Sequence, residues 1–247
     1  MKKFLYIANW KMTVSPEKAY AFVVDNEKEL HALSELADIV LCPSFISLGI
    51  LSQLYNNKQI NWFWGAQNCS EHQKGAFTGE IDALSLQQLK TRFCIVGHSE
   101  RRTLFNETDD VIAQKVKQLI THDITPILCI GETQEQRQAK QTFQVLEQQL
   151  ERVVELYDGS SKSLIIAYEP VWAIGTGVTP ESEIIFETIE CIKNYAFSKM
   201  SKAQVRCVYG GSVNQESVKL LKTLPNVDGF LIGAASSDFQ MFKNIVV

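Results

Sequence analysis

Hydrophobic residues along this chain fall into two alternating patterns. In one they form short unbroken runs, as parallel strands covered on both faces do. Eight such runs can be marked: Phe4–Ala8, Asp38–Leu41, Trp62–Ala66, Phe93–Val96, Pro126–Ile130, Leu164–Tyr168, Arg206–Tyr209 and Gly229–Ile232. In the other pattern they recur three or four positions apart, the stripe of a helix packed by one face. Ile112, Val116, Leu119 and Ile120 make one stripe; Phe143, Leu146, Leu150, Val153 and Val154 make a second. The face opposite that second stripe is rich in Gln, Glu and Arg and reads as solvated. Helix starts are also visible. Ser15-Pro16-Glu17 combines a capping hydroxyl, a proline at the first helical position and an acid in the first turn. Thr179-Pro180-Glu181 repeats that start ahead of Ile184, Ile185 and Ile189.

Strand and helix alternate eight times over 247 residues, about 31 residues per unit. Crossovers of that kind force parallel pairing, and eight units can close on themselves, which removes exposed edges. The predicted fold is α/β: a closed (β/α)8 barrel of eight parallel strands with outer helices. No composition shift or Pro/Gly/Ser linker divides the chain, so residues 1–247 read as a single barrel domain. A doubly wound open sheet is the competing fold. It requires a Gly-x-Gly-x-x-Gly turn after the first strand, and the chain has Asn9-Trp10-Lys11 there.

Composition narrows the function classes. With 45% hydrophobic and 21% charged residues, the chain can bury a sizeable core and is not disordered. Its 24 basic and 28 acidic residues leave a formal charge of −4 with no basic block, so neither nucleic acid nor an acidic membrane surface is an expected partner. No apolar run approaches a membrane span. The first apolar stretch ends at Asn9-Trp10-Lys11 without a cleavage-like region, which argues against a signal peptide. Six cysteines (Cys42, Cys69, Cys94, Cys129, Cys191, Cys207) are scattered without a Cys-x-x-Cys pair. Four lie in or just after candidate strands as small core residues, which points to a reducing, cytoplasmic compartment and against a disulfide or zinc framework.

In a closed barrel the loops that follow the strands converge on one face, so residues at strand ends can act together. Asn9 and Lys11 follow the first strand; an amide beside an ammonium can orient and neutralise a small anion, though alone the pair reads as surface polarity. The connection Gln67–Glu80 after the third strand is long for its type, and Ala76-Phe77-Thr78 between Gly75 and Gly79 suggests a protruding tip whose apolar residue needs a partner's surface. His72 on this loop reads as exposed, and His31 and His122 as bystanders. Gly97-His98-Ser99-Glu100-Arg101-Arg102 follows the fourth strand. His98 opens a helix, whose positive end disfavours a charged imidazole, and a neutral imidazole can donate a proton to a carbonyl oxygen. Taken by itself, His98 reads more simply as a capping residue.

Glu169 stands at the end of the sixth strand, and Pro170 then stops the ladder. Val171, Trp172 and Ile174, mixed with the small residues Ala173, Gly175 and Gly177, suggest a loop that opens and shuts. Tyr209-Gly210-Gly211-Ser212 and Gly233-Ala234-Ala235-Ser236 follow the seventh and eighth strands. Small residues on two neighbouring strand ends let backbone N–H groups approach an anion, and phosphate sites of closed barrels favour this position. An acid, a histidine, a lysine, a lid and a phosphate cradle on one rim suit proton transfer at a carbon beside a carbonyl, in a small phosphorylated substrate.

Four strings, Asn9-Trp10-Lys11-Met12, Gly97–Arg102, Ala167–Gly177 and Tyr209-Gly210-Gly211-Ser212-Val213, occur in the order found in the triosephosphate isomerase family, which the chain resembles from about Phe4 to its C-terminus. The resemblance implies a TIM barrel that interconverts dihydroxyacetone phosphate and D-glyceraldehyde 3-phosphate through an enediolate, without cofactor or metal, in glycolysis and gluconeogenesis. It implies that Glu169 carries the proton between carbons and that His98 acts as electrophile on the carbonyl. Lys11 would supply positive charge, Asn9 would orient the substrate oxygens, and Glu100 would be a supporting acid. Backbone N–H groups of Gly175, Ser212, Gly233 and Ala234 would hold the phosphate, under a lid of Pro170, Val171, Trp172, Ala173, Ile174, Gly175 and Thr176. The Gln67–Glu80 loop would join a homodimer, with Thr78 reaching the partner's site and Glu80 pairing with Arg101 across the interface.

The chain departs from the family pattern in three places. The lid usually continues Gly-Thr-Gly-Lys-x-Ala-Thr-Pro, whereas Gly177 here precedes Val178-Thr179-Pro180, a rear hinge about two residues shorter that lacks the lysine. Ala234 stands where glycine is common, which preserves its N–H as long as the backbone avoids positive φ. Asn106 replaces a frequent glycine, and asparagine is the residue best suited to a left-handed turn after glycine. Cys129 is expected to pack near Glu169. Two other functions fit the fold: a barrel acting on another phosphosugar, and an inactive dimeric binding module. The strings around His98 and Glu169 argue against the first, and the intact set of Asn9, Lys11, His98 and Glu169 argues against the second.

Overall fold

All eight apolar runs become strands, with boundaries that move by one residue at most. In the computed structural model of the chain, the described residues are 3–157, 160–174 and 180–247. The strands are β1 (Leu5–Asn9), β2 (Asp38–Cys42), β3 (Phe63–Ala66), β4 (Phe93–Val96), β5 (Thr125–Ile130), β6 (Leu164–Tyr168), β7 (Val205–Tyr209) and β8 (Gly229–Ile232). Each pairs in parallel with the next, and β8 pairs back onto β1, so the barrel is closed. The helices are α1 (Pro16–Val24), α2 (Glu27–Leu36), α3 (Phe45–Leu54), α4 (Ala83–Gln88), α5 (Ser99–Leu104), α6 (Asp109–Thr121), α7 (Gln134–Gln138), α8 (Thr142–Val154), α9 (Ser182–Phe197), α10 (Gln215–Leu221) and α11 (Phe239–Val246).

The unbroken apolar runs follow from a core in two layers. Leu5, Ile7, Val40, Ile95, Ile127, Cys129, Ile165, Ala167 and Leu231 point into the barrel and pack on one another. Their neighbours along the strands, such as Tyr6, Ala8, Ile39, Leu41, Leu128, Ile130, Ile166 and Tyr168, face outward and are buried beneath the helices. Side chains alternate along a strand, so covering both faces demands apolar residues at every position.

Local signals set the helix starts. Ser15 accepts the N–H of Lys18, with Pro16 in the first turn of α1. α9 begins later than its proline suggests. Ser182 is its first residue, and Glu181 occupies the cap position, its carbonyl accepting from Ile184 and Ile185. Of the two predicted stripes, Ile112, Val116 and Leu119 are buried as expected, and so are Leu146, Leu150, Val153 and Val154. Phe143 is not. It lies in the first turn of α8 and is 48% exposed, beside the crevice that Arg137 and Ile184 also line. Asn106 does take the left-handed conformation, at φ +55°. Ala234 does not: it lies in a 3-10 turn outside the positive-φ residues.

Candidate active site

The C-terminal ends of the strands bring the predicted residues together. Asn9, Lys11, His98, Glu169, Ser212, Gly233 and Ala234 line one cavity of about 360 Å³, with Ile174 from the lid at its edge. Asn9 belongs to β1 itself, paired with Cys42, and is only 5% exposed; its Oδ1 accepts the Lys11 N–H at 3.2 Å. Lys11 sits on strained backbone, at φ +49°. Its carbonyl accepts from Gln67 Nε2 at 2.8 Å, and the same amide nitrogen reaches the Cys42 carbonyl at 2.9 Å. Gln67 thus bolts the first rim loop to β2. The Lys11 ammonium lies 2.5 Å from Glu100 Oε1.

His98 caps α5. Its Nδ1 accepts the Glu100 N–H at 3.2 Å, which places the ring proton on Nε2. That Nε2 lies 3.2 Å from Glu169 Oε1. The other oxygen, Oε2, accepts the Ser99 N–H at 3.0 Å. Glu169 is therefore 2% exposed, gripped by a helix N-terminus and a histidine. Cys129 packs against it as expected. Burial, and then the nearby Glu169 charge, hold this thiol well above the usual range, so it stays protonated.

The front of the expected lid, Pro170–Ile174, is anchored to a residue that sequence reasoning did not single out. Glu132 follows β5 and is fully buried. Trp172 Nε1 donates to its Oε1 at 2.9 Å, and the Tyr168 hydroxyl donates to both carboxylate oxygens at 3.2 and 3.3 Å. Arg137 pairs with it at 3.3 Å and covers the Trp172 ring at 4.7 Å. Burial, reinforced by the Glu132 charge, pushes the Tyr168 phenol up, which keeps it a donor. The signal was present, since Glu132 is a strand-end acid just as Glu169 is, but only tertiary contact separates an anchor from a base. Farther along, the Ser212 hydroxyl donates to the Ala173 carbonyl at 3.0 Å, which ties this segment to the turn after β7. Gly175, Thr176 and the rear hinge Val178-Thr179 lie outside the described residues.

Thr78 and Glu80 stand exposed on their loop, away from this cavity. Phe77 at the tip is 42% exposed, and its ring is stacked on His72 at 3.6 Å. Arg101 pairs within its own chain with Glu107 at 2.5 Å. Among the described residues no group of three His, Cys, Asp or Glu side chains could hold a metal ion. No helix among them is long and apolar enough to cross a membrane.

Fold and rim together define the class: a (β/α)8-barrel enzyme with its site at the C-terminal ends of the strands. Comparison with known proteins supplies the family. The family model described as triosephosphate isomerase matches residues 4–247, and the chain belongs to that family. Proteins named triosephosphate isomerase that it resembles include those of Nitrosococcus oceani (40% identical over 99% of this chain and 98% of the relative) and Thermus thermophilus (38%, 98% and 97%). The Syntrophotalea carbinolica protein of the same name is 40% identical over 100% of this chain and 98% of its own.

Proposed function

We infer that this protein interconverts dihydroxyacetone phosphate and D-glyceraldehyde 3-phosphate, the isomerase step shared by glycolysis and gluconeogenesis. The observation that carries the reading is the 3.2 Å contact between His98 Nε2 and Glu169 inside a cavity shared with Lys11 and the small residues after β7 and β8. A base and a hydrogen-bond donor at that spacing can serve adjacent atoms of one small substrate.

Glu169 takes the proton from the carbon beside the carbonyl while the His98 Nε2–H hydrogen-bonds the carbonyl oxygen, so negative charge moves onto oxygen and an enediolate forms. The proton is then returned to the neighbouring carbon. Lys11 balances the charge, Asn9 orients the oxygens, and Glu100 keeps Lys11 in place. N–H groups of Ser212, Gly233, Ala234 and Gly175 receive the phosphate. The lid Pro170–Thr176 excludes water, which protects the enediolate from side reactions. No external oxidant or reductant is consumed, because one carbon is oxidised from alcohol to aldehyde as its neighbour is reduced from ketone to alcohol. Glu169 moves the carbon-bound proton and His98 passes the hydroxyl proton from one oxygen to the other.

A homodimer through the Gln67–Glu80 loop is part of the same proposal, with Thr78 entering the partner's site and Glu80 meeting Arg101. Its support is an apolar, exposed face on the loop's side of the rim: Met12 is 97% exposed, Leu104 70% and Phe105 63%. A cytoplasmic location is also proposed, supported by six free thiols. A coupled steady-state assay with glyceraldehyde 3-phosphate tests the activity; purified, folded protein that leaves this substrate unturned overturns the reading.

A further inference from the structure

One side chain of the outer layer reaches the foundations of the site. β4 ends at Val96, and Gly97 then turns away with φ +67°, so β5 runs on past its last partner on that side. On the other side the pairing continues. The backbone N–H of Glu169 donates to the Ile130 carbonyl at 2.8 Å, and that of Val171 to the Glu132 carbonyl at 3.2 Å. Backbone groups alternate in direction along an extended chain, so Gly131, between those two acceptors, faces the side where no strand remains. Gly131 is buried, and its N–H and C=O need partners there.

Gln149 of α8 supplies both. Its Oε1 accepts the Gly131 N–H at 2.8 Å and its Nε2 donates to the Gly131 carbonyl at 3.1 Å. A carboxamide carries one acceptor and donors on a single plane, so it replaces the missing strand for one residue. The segment it grips has no slack. A Cβ on Gly131 would lie 1.7 Å from the Glu169 carbonyl oxygen.

We propose that Gln149 is a positioning residue for the isomerisation. It touches no substrate. It fixes the Ile130–Glu132 segment, and that segment fixes the backbone of Glu169 on one side of Pro170 and the first turn of the lid on the other. The inference rests on the isomerase reading.

The test uses the full chain with Gln149→Leu, which removes both hydrogen bonds, and Gln149→Glu, which keeps an acceptor for the Gly131 N–H and loses the donor. Both variants are expected to lose about tenfold or more in kcat with KM for glyceraldehyde 3-phosphate within about threefold, because small displacements of a reacting group are costly while the phosphate cradle is remote. Two inhibitors separate positioning from general loosening. 2-Phosphoglycolate, which places a carboxylate where the enediolate forms, should bind about fivefold or more weakly, while inorganic phosphate, which senses only the cradle, should be unchanged. Turnover within twofold of wild type, equal weakening of both inhibitors, or failure of both variants to fold would each overturn the positioning role. Absence of isomerase activity in the wild-type protein would overturn the functional reading and this inference with it, an outcome distinguishable from the others before any variant is made.

Discussion

Glu169 already has both carboxylate oxygens occupied, one by the Ser99 N–H and one by His98 Nε2. To act as a base it must exchange those contacts for a substrate C–H, so its side chain needs room while its backbone stays put. Glu169→Gln keeps the shape and removes the base, and kcat is expected to fall by roughly 10²–10⁴ or more, the range for a positioned acid–base group. Near-normal turnover in that variant would sink the assignment. Gly131→Ala tests the backbone side. Its added methyl would collide with the Glu169 carbonyl, so the variant should be destabilised by about 1–3 kcal/mol and melt several degrees lower; an unshifted Tm would contradict the close approach. Cys129 offers a third measurement. Burial and the Glu169 charge raise its pKa, and a thiol with a raised pKa carries less thiolate at any given pH. At pH 8 the folded protein should therefore resist iodoacetamide at Cys129, as read by mass spectrometry, and react there only once unfolded.

Elements place these residues without touching the chemistry. The N-terminus of α5 provides the Ser99 and Glu100 N–H groups, one for the base and one for the histidine, so a single helix start sets the geometry of both. The short segment after β5 holds the lid: the Glu132 carboxylate takes Trp172 and Tyr168, and its carbonyl takes the Val171 N–H. The ties on this segment, among them the Trp172 indole N–H, the Val171 N–H and the Ser212 hydroxyl, are individual polar contacts that can be exchanged one at a time, as a closing loop requires. With 2-phosphoglycolate bound, residues Pro170–Ile174 are expected to shift toward the cavity. A crystal structure of that complex in which these residues keep their present positions would refute closure, despite the shortened sequence after Gly177.

At the scale of the molecule, the barrel leaves an apolar face around a protruding loop. Phe77 and Phe105 line one crevice with Thr78, Glu80 and Arg101, and Met12 and Leu104 are exposed as well. Phe105→Glu is expected to shift the protein toward monomer in sedimentation and to lower its activity with it, since the proposed Thr78 contact would be lost. A variant that remains dimeric and fully active would place the interface elsewhere.

The eight strands, their parallel order and the strand-end positions of Asn9, His98, Glu169 and Ser212 were legible in the sequence, because burial on both faces and helical spacing are periodic and local. Asn106 was legible for the same reason, since one residue's φ depends on that residue's own sterics. The exposed Phe143, the later start of α9 and the role of Glu132 were not. A stripe cannot tell which of its ends overhangs the core, and a strand-end acid looks the same in sequence whether it moves a proton or anchors a lid. Gln149 lies 18 residues from Gly131 on the outer layer, and its two hydrogen bonds exist only because the barrel curves a helix over a strand that has outrun its partner. Local chemistry fixed the parts, and chain closure alone decided which of them meet.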